Sequence, residues 1–259
     1  MRRMRHLKPR EIQGCDIAFQ FWRPETLYDA TSGGNLVASG GAIARIEDVS
    51  GNGNHATSSL DTDRPARIVA AQNGLDAGRF DGTSDRLNAG DVADMLDKPV
   101  ECYAVFIRTG AAGVRGIFGK SRAAVGTGRW SLIQGATTSD DNFLFAGSTP
   151  GSVNARLATS TSLQLLYGHS PRGNTTVNLS RNAGSPDSLA LTDTGASQNT
   201  TDHLVIGAYQ NASGTQAPPL TNSLIAADIL ECVKWSVSLT DQTRKRAQHA
   251  AMRRARIAG

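Results

Sequence analysis

Short strand-like segments alternate with turn signals along this chain from about residue 15 to residue 237. Turn chemistry stands between the segments, for example in Ser50-Gly-Asn-Gly-Asn54 and Asp81-Gly82, because Gly, Asn and Asp tolerate tight reversals. Many short strands at this spacing indicate a sandwich or a barrel. The predicted strands are Cys15–Trp22, Ile43–Asp48, Ala66–Ala71, Gly78–Phe80, Arg86–Ala89, Val100–Arg108, Gly116–Lys120, Trp130–Gln134, Asn142–Ala146, Ser162–Gly168, Thr175–Arg181, His203–Ala208 and Ser223–Ser236.

Helical signals are few. Short helical turns are predicted at Pro24–Tyr28 and Val92–Leu96, and one convincing helix closes the chain. Thr240 can cap that helix, Asp241 suits the positive end of its dipole, and basic residues gather toward its C-terminus. A thin stripe of alanines predicts that it packs only lightly on the strands. We therefore expect a basic arm (1–14), a β-sandwich (15–239) and a basic helix (240–259).

Positive charge is concentrated at the two ends. The chain carries 27 basic and 23 acidic residues. Residues 1–10 hold five basic residues and residues 244–256 hold six, with no acidic residue in either stretch, so the rest of the chain is about −7. Basic ends can bind acidic protein surfaces or nucleic acid. Interleaved aromatics are missing, so protein docking is favoured over nucleic acid. The predicted docking residues are Arg2, Arg3, Arg5, Lys8 and Arg10.

Two sequence blocks carry a family resemblance. Ala44–Thr57 contains Asp48 followed by Ser-Gly-Asn-Gly-Asn-His-Ala, and Gly78–Leu87 reads Gly-Arg-Phe-Asp-Gly-Thr-Ser-Asp-Arg-Leu. Both blocks resemble concanavalin A-like lectin/glucanase (laminin-G-like) domains, although Ile46 stands where those domains usually have Trp. Ile225–Leu239, followed by Thr-Asp, resembles the last strand of the family leading into a terminal helix. The resemblance implies an all-β fold, a two-sheet antiparallel jelly-roll sandwich.

Domains of this kind without an export signal resemble components of tailed-bacteriophage virions. The resemblance implies a non-enzymatic structural or binding protein of a phage-like particle, placed in the head decoration, a spike or the tail. Its expected partners are other virion proteins, in a homo-oligomer or symmetric assembly. The alternative is a carbohydrate-binding adhesin that recognises a host surface glycan. Fold alone does not decide between these functions.

The acidic residues argue against a hydrolase. Retaining glucanases of the resembling superfamily place an acid and a nucleophile about 5 Å apart across the sugar bond. The best acidic pair on a predicted strand is Asp228 and Glu231, which are three residues apart and are expected to point to opposite faces. We therefore predict that the protein is not an enzyme.

Candidate binding residues lie in turns and loops. The loop that begins with Tyr209, Gln210 and Asn211 is the predicted ligand-facing rim, since binding residues concentrate on loops. Trp22, Trp130 and Trp235 lie in predicted strands, so core packing is favoured over sugar stacking. Two readings remain for Asp48, Asp81 and Asp85: carboxylates that fix turns through backbone amides, which is favoured, or calcium ligands. No other cofactor is expected.

The termini and cysteines suggest where the chain is made. The basic N-terminal segment is not followed by an apolar stretch of the kind that signal peptides carry, and no run of about 18 apolar residues occurs. We therefore expect synthesis in the host cytoplasm, a final location in the virion and no contact with a membrane. Cys15, Cys102 and Cys232 show no paired spacing and are expected to be free.

Overall fold

The protein is an all-β sandwich, as predicted, with one α-helix in the part of the chain that the structure describes. The computed structural model describes residues 8–92, 99–110, 115–120, 129–134, 140–146, 153–158, 160–170, 176–190, 202–208 and 224–257. Its strands are β1 (Cys15–Gln20), β2 (Leu27–Tyr28), β3 (Arg45–Ile46), β4 (Ala56–Thr57), β5 (Ala66–Gln72), β6 (Leu75–Asp81), β7 (Leu87–Gly90), β8 (Val100–Arg108), β9 (Arg115–Lys120), β10 (Arg129–Gln134), β11 (Asp140–Ala146), β12 (Val153–Ala158), β13 (Gln164–Ser170), β14 (Thr176–Arg181), β15 (Asp187–Ala190), β16 (Leu204–Ile206) and β17 (Ala226–Trp235), and its helix is α1 (Asp241–Ala255).

The named strands form two antiparallel sheets. The first sheet has the order β15-β14-β13-β8-β17-β6-β5, and β1 also pairs with β17. The second sheet has the order β12-β11-β10-β9-β16-β7-β4-β3-β2. Side chains from both sheets meet in one apolar core, in which Phe19, Phe106, Phe118 and Trp130 are at most 1% exposed. This inter-sheet core is the main source of burial for a sandwich.

β8 and β17 form the centre of the first sheet. They pair along most of their length, from Ala227 opposite Arg108 to Trp235 opposite Glu101. Every residue of β8 from Val100 to Phe106 is buried, which confirms that this apolar run is a central strand. Alternate side chains of β8 therefore enter two different apolar clusters, one on each face of the sheet.

α1 covers the outer face of this first sheet. Ala247, Ala251, Met252 and Ala255 pack against an apolar cluster that includes Tyr103, Tyr167, Leu230 and Trp235. Thr240 caps the helix, since its side chain accepts a hydrogen bond from the Thr243 amide at 3.2 Å. The prediction of light packing is wrong, because small residues bring the helix close enough to seal a second core.

Several local predictions need correction. Pro24–Thr26 forms one 3-10 turn, after which the chain enters β2. Strands β4, β12 and β15 were not predicted. Of the helical turn predicted at Val92–Leu96, only Val92 lies within the described residues.

The described cysteines are all free, as expected. Among the described helices, none is long and apolar enough to span a bilayer.

Candidate functional site

Two arginines of α1 neutralise two glutamates that the first sheet buries. Glu101, at 0% exposure, accepts hydrogen bonds from Arg244 Nε and Nη2 at 3.0 and 2.7 Å. It also accepts the Leu239 amide at 2.9 Å and the Tyr167 hydroxyl. Although burial opposes it, the charge of Glu101 raises the pKa of Arg244 above its usual value. These contacts fix the first turn of α1 on the sheet.

A second cluster fixes the last turn of α1 beside the end of β1. Glu231, at 1% exposure, accepts Arg254 Nη2 at 2.8 and 3.0 Å on its two oxygens. It also accepts Gln20 Nε2 at 2.7 Å. Against the effect of burial, Glu231 raises the pKa of Arg254. Because Gln20 is the last residue of β1, this network joins the strand end to the helix end.

An open pocket of about 600 Å³ lies next to this network. We call it the Trp22 pocket, and its lining residues are Lys8, Pro9, Gln20, Trp22, Arg23, Glu25, Val49, Arg253 and Arg254. They come from the chain just before β1, the turn after β1, the loop after β3 and the end of α1. The pocket size is within the usual range for small-ligand sites.

Trp22 forms an aromatic wall of this pocket. Its ring is half-buried, with Arg254 Cζ 5.9 Å and Arg23 Cζ 6.0 Å from the ring centroid. These distances are within reach of a cation–π interaction. The buried Nε1 of the indole finds no acceptor among the described residues. The wall therefore combines an aromatic surface with two adjacent guanidinium groups.

The lining of the Trp22 pocket is basic. Four of its side chains are cationic and only Glu25 is acidic. Arg23 forms an ion pair with Glu25 at 2.8 Å, in which the side chains are 32% and 55% exposed. Lys8 and Arg253 are exposed, and among the described residues neither side chain has an ion pair. The pocket thus offers cations that the described part of the protein does not neutralise.

The sequence pattern predicts Trp22 as a core residue, whereas the structure places it, half-buried, in the wall of this pocket. Trp130 and Trp235 are fully buried as predicted, but β1 ends at Gln20 and leaves Trp22 in the following turn. Pro24 was an available signal, because proline cannot donate to a central ladder and marks the end of a strand. The other missing information was the position of α1, which no local pattern gives.

The predicted docking and loop residues have different outcomes. Lys8 lines the Trp22 pocket, so this part of the basic arm lies against the sandwich. Arg10 belongs to a described 3-10 turn, Pro9–Glu11. The remaining predicted residues lie outside the described part of the chain; they are Arg2, Arg3, Arg5, Tyr209, Gln210 and Asn211.

Asp48 fixes the turn that follows β3. Its Oδ1 accepts the amides of Ala18 and Ser50, both at 2.9 Å, and its Oδ2 accepts the Asn54 amide at 3.1 Å and the Ser50 hydroxyl at 2.7 Å. His55 completes the turn by accepting the Asp48 amide at 3.1 Å through Nδ1. The carboxylate therefore performs the turn-fixing role, which satisfies the buried backbone donors.

Asp81 and Asp85 together fix a second turn, because each carboxylate accepts the backbone amide of the other residue. Asp81 Oδ1 accepts the amides of Thr83, Ser84 and Asp85 at 2.8–3.1 Å, and Asp85 Oδ2 accepts the Asp81 amide at 2.9 Å. No group of three or more His, Cys, Asp or Glu side chains in the described ranges is arranged to hold a metal ion. Calcium binding at these aspartates remains a prediction.

The prediction that Asp228 and Glu231 point to opposite faces is wrong. β17 has a bulge between Ile229 and Glu231, so Asp228 lies opposite Ile107 and Glu231 lies opposite Val105. Residues two apart on β8 share a face, and both carboxylates therefore share the outer face. Each is held by a guanidinium: Arg79 Nε contacts Asp228 at 2.8 Å, as Arg254 contacts Glu231.

A second, smaller pocket of about 370 Å³ lies at the other end of α1. Its lining includes His169, Arg244 and Lys245. Burial lowers the pKa of His169, and Arg244 adds to this effect while Glu101 opposes it. The guanidinium of Arg244 contacts His169 Nε2 at 3.1 Å. Because Arg244 is also bound to Glu101, this pocket has a polar wall with a structural role.

The fold is shared with solved β-sandwich domains of carbohydrate-active enzymes and toxins. No family model and no curated protein matches the sequence. The chain is similar to domain 4 of a GH43 extracellular arabinanase from Geobacillus stearothermophilus, solved in complex with arabinotriose. The TM-score is 0.57 at 12% identity, covering 92% of this chain and 98% of that domain.

Two further structures are similar over part of their length. A GH54 α-L-arabinofuranosidase gives a TM-score of 0.59 at 16% identity, covering 91% of this chain and 62% of that one. The receptor-binding domain of botulinum neurotoxin mosaic serotype C/D gives 0.59 at 8% identity, covering 92% and 51%. The chain thus spans nearly all of the arabinanase domain but about half to three fifths of these two. At such identities the likeness shows the β-sandwich fold.

Proposed function

We propose that the protein is a carbohydrate-binding module whose ligand occupies the Trp22 pocket. The observation that carries this proposal is an open 600 Å³ pocket whose half-buried indole stands beside polar and charged side chains. Sugars bind proteins through apolar ring faces that pack on aromatic side chains and hydroxyls that need polar partners. The likeness to an arabinanase domain that was solved with arabinotriose supports the same proposal.

We further propose that this module binds without hydrolysis. Asp228 and Glu231, the carboxylates that share the outer face of β17, are each 1% exposed. Each forms an ion pair with an arginine, Asp228 with Arg79 and Glu231 with Arg254, so neither is free to contact a sugar. A glycosidase needs one carboxylic acid that is protonated at working pH and a second carboxylate with access to the sugar. Sugar release from any bound oligosaccharide would contradict this part of the proposal.

Substitution of Trp22 tests the binding site. In a glycan array followed by calorimetric titration, Trp22→Ala is expected to weaken binding of the best glycan at least about tenfold, which corresponds to roughly 1.4 kcal/mol. Tyr28→Ala is the matched control, since Tyr28 is also a partly buried aromatic with a guanidinium, that of Arg45, 4.3 Å from its ring centroid. Equal affinity of Trp22→Ala and the unsubstituted protein would exclude this pocket.

The setting proposed for the module is the surface of a phage-like particle. The sequence resemblance and the basic ends support this setting, in which a displayed glycan-binding sandwich would attach the particle to a host surface. Sedimentation of a lysate from the protein's source through a density gradient tests this proposed location. The protein should band with particles and leave them only on disruption, whereas free protein at the top of the gradient would contradict the virion location.

A further inference from the structure

The Trp22 pocket has a cation that the fold itself holds in place. Arg254 has a side chain 16% exposed, and both oxygens of Glu231 bind its Nη2. Its guanidinium also lies 5.9 Å from the indole centroid of Trp22. The cation is therefore positioned before any ligand arrives, and a ligand does not have to order this side chain at an entropic cost.

Exposed cations lie around this fixed one. Lys8 and Arg253 line the same pocket from two different chain segments, and both are exposed. Arg23 differs from these two, because it forms a partly exposed ion pair with Glu25. A neutral sugar entering the pocket would partly desolvate these cations without compensating their charge.

We propose that the sugar recognised at the Trp22 pocket is acidic, with a carboxylate or sulfate group bound between Lys8 and Arg253. This inference rests on the proposed function and specifies its ligand class. The anionic group receives charge-assisted hydrogen bonds from these two exposed cations, while the apolar face of the sugar packs at the indole. Glu25 is the only acidic lining residue, and its pairing with Arg23 keeps it from opposing the anion strongly.

The test uses the full chain and three probes in calorimetric titration: an oligogalacturonate, the same oligomer after reduction of its carboxyl groups, and a heparin oligosaccharide. We expect at least one anionic probe to bind at least about tenfold more tightly than the reduced, neutral oligomer. Binding of the oligogalacturonate would show that a carboxylate is sufficient, whereas binding of heparin alone, which carries carboxylates and sulfates, would show that a sulfate is needed. Raising the salt concentration should weaken the anionic complex, because partly exposed charges are screened.

Variants that remove one positive charge each show which cations bind the anionic group of the ligand. Lys8→Gln and Arg253→Gln should each weaken the anionic complex about five- to tenfold and reduce the ratio of affinities for the acidic and the reduced oligomer by at least the same factor. Arg246→Gln is the control, since Arg246 is exposed on the same helix and does not line the Trp22 pocket. It should change affinity less than about twofold, because it lies outside the site.

The outcomes separate this inference from the proposed function. Equal binding of acidic and reduced oligomers, with loss in Trp22→Ala only, would overturn the acidic ligand while the carbohydrate-binding function stands. Equal losses in Arg246→Gln and Arg253→Gln would also overturn it, because diffuse charge attraction would then explain the affinity. Absence of binding to these probes and to a full glycan array would overturn both.

Discussion

Individual aspartates in this fold differ widely in acidity although they lie four residues apart. Against the effect of partial burial, hydrogen bonds from the amides of Ser84, Thr83 and Asp85 lower the pKa of Asp81 to about 2. Burial, together with the nearby charges of Asp81 and Asp63, raises the pKa of Asp85 to about 7. The amides stabilise the charge of the first carboxylate, and that charge then disfavours ionisation of the second.

Asp85→Asn is expected to change how stability depends on pH. The folded pKa of Asp85 lies above its unfolded value, so the folded state binds more protons between about pH 4 and pH 7. The free energy of unfolding therefore falls as pH rises through that interval, by at most about 4 kcal/mol from this group. Asparagine can still accept the Asp81 amide, so the variant should lose this part of the slope in urea titrations.

The control for this prediction is Asp61→Asn, at a side chain that is 84% exposed and pairs with Arg64 on the surface. It should leave the pH slope unchanged, since exposed pairs contribute little to stability. A slope as steep in Asp85→Asn as in the unsubstituted protein would show that Asp85 ionises in the folded state near its ordinary pKa.

Position 207 requires glycine for two reasons, its positive φ angle and the close approach of a neighbouring side chain. It has φ +86°, and a Cβ there would lie 2.3 Å from Phe80 Cδ1, a fully buried core ring. Gly207→Ala should therefore destabilise the protein by roughly 2–4 kcal/mol, through strain plus overpacking. Gly53→Ala isolates the strain, because φ is +75° but no atom lies within 4 Å; its cost should be about 1 kcal/mol. Similar melting temperatures for the two variants would contradict the overpacking argument.

At the scale of elements, strands with a clear apolar run or a motif block could be predicted, whereas β2, β4, β12 and β15 could not. The apolar run of β8 and the two motif blocks around β3 and β6 are local sequence signals that predict these strands. The capping residue Thr240 likewise predicts where α1 begins. β2 and β4 each have only two residues, so their pairing depends on the neighbouring strands rather than on a pattern of their own. The bulge in β17 likewise reflects packing against β8.

The helix illustrates why its packing escaped prediction. A stripe of alanines predicts only a weak apolar face. The helix is also held by two ion pairs, from Arg244 to Glu101 and from Arg254 to Glu231, on the same face of the sheet. Ion pairs between distant segments leave no local signal. The Trp22 pocket escaped prediction for the same reason, because its cations come from both chain ends.

Arg244→Met is expected to destabilise the protein by about 3–5 kcal/mol, because it leaves the charge of fully buried Glu101 without its guanidinium partner. Glu101→Gln combined with Arg244→Met should recover most of that loss, since removing both charges removes the desolvation cost as well. Chemical denaturation of the single and double variants measures both effects. Lys245→Met, an exposed neighbour, should cost less than about 0.5 kcal/mol. A double variant no more stable than Arg244→Met would contradict the buried-charge argument.

At the scale of the whole molecule, the Trp22 pocket exists only when distant parts of the chain meet. Lys8 and Pro9 precede the first strand, Trp22 follows it, and Arg253 and Arg254 lie in the last turn of α1. Lys8 of the basic arm and Arg253 and Arg254 of the basic helix therefore meet on one surface. A ligand that bridges these segments therefore binds the folded state and contributes its binding free energy to global stability.

Ligand binding should consequently protect both ends of the chain together. At a ligand concentration of about 100 times Kd, the free energy of unfolding should increase by about 2.7 kcal/mol. Hydrogen exchange should slow in residues 8–12 and in the last turn of α1 to a similar degree, because one ligand contacts both. At the same ligand concentration, Trp22→Ala should lose at least about half of the stabilisation and should reduce the protection at both segments together, and Tyr28→Ala should keep both. Protection confined to one segment would mean that the ligand binds beside the Trp22 pocket rather than across it.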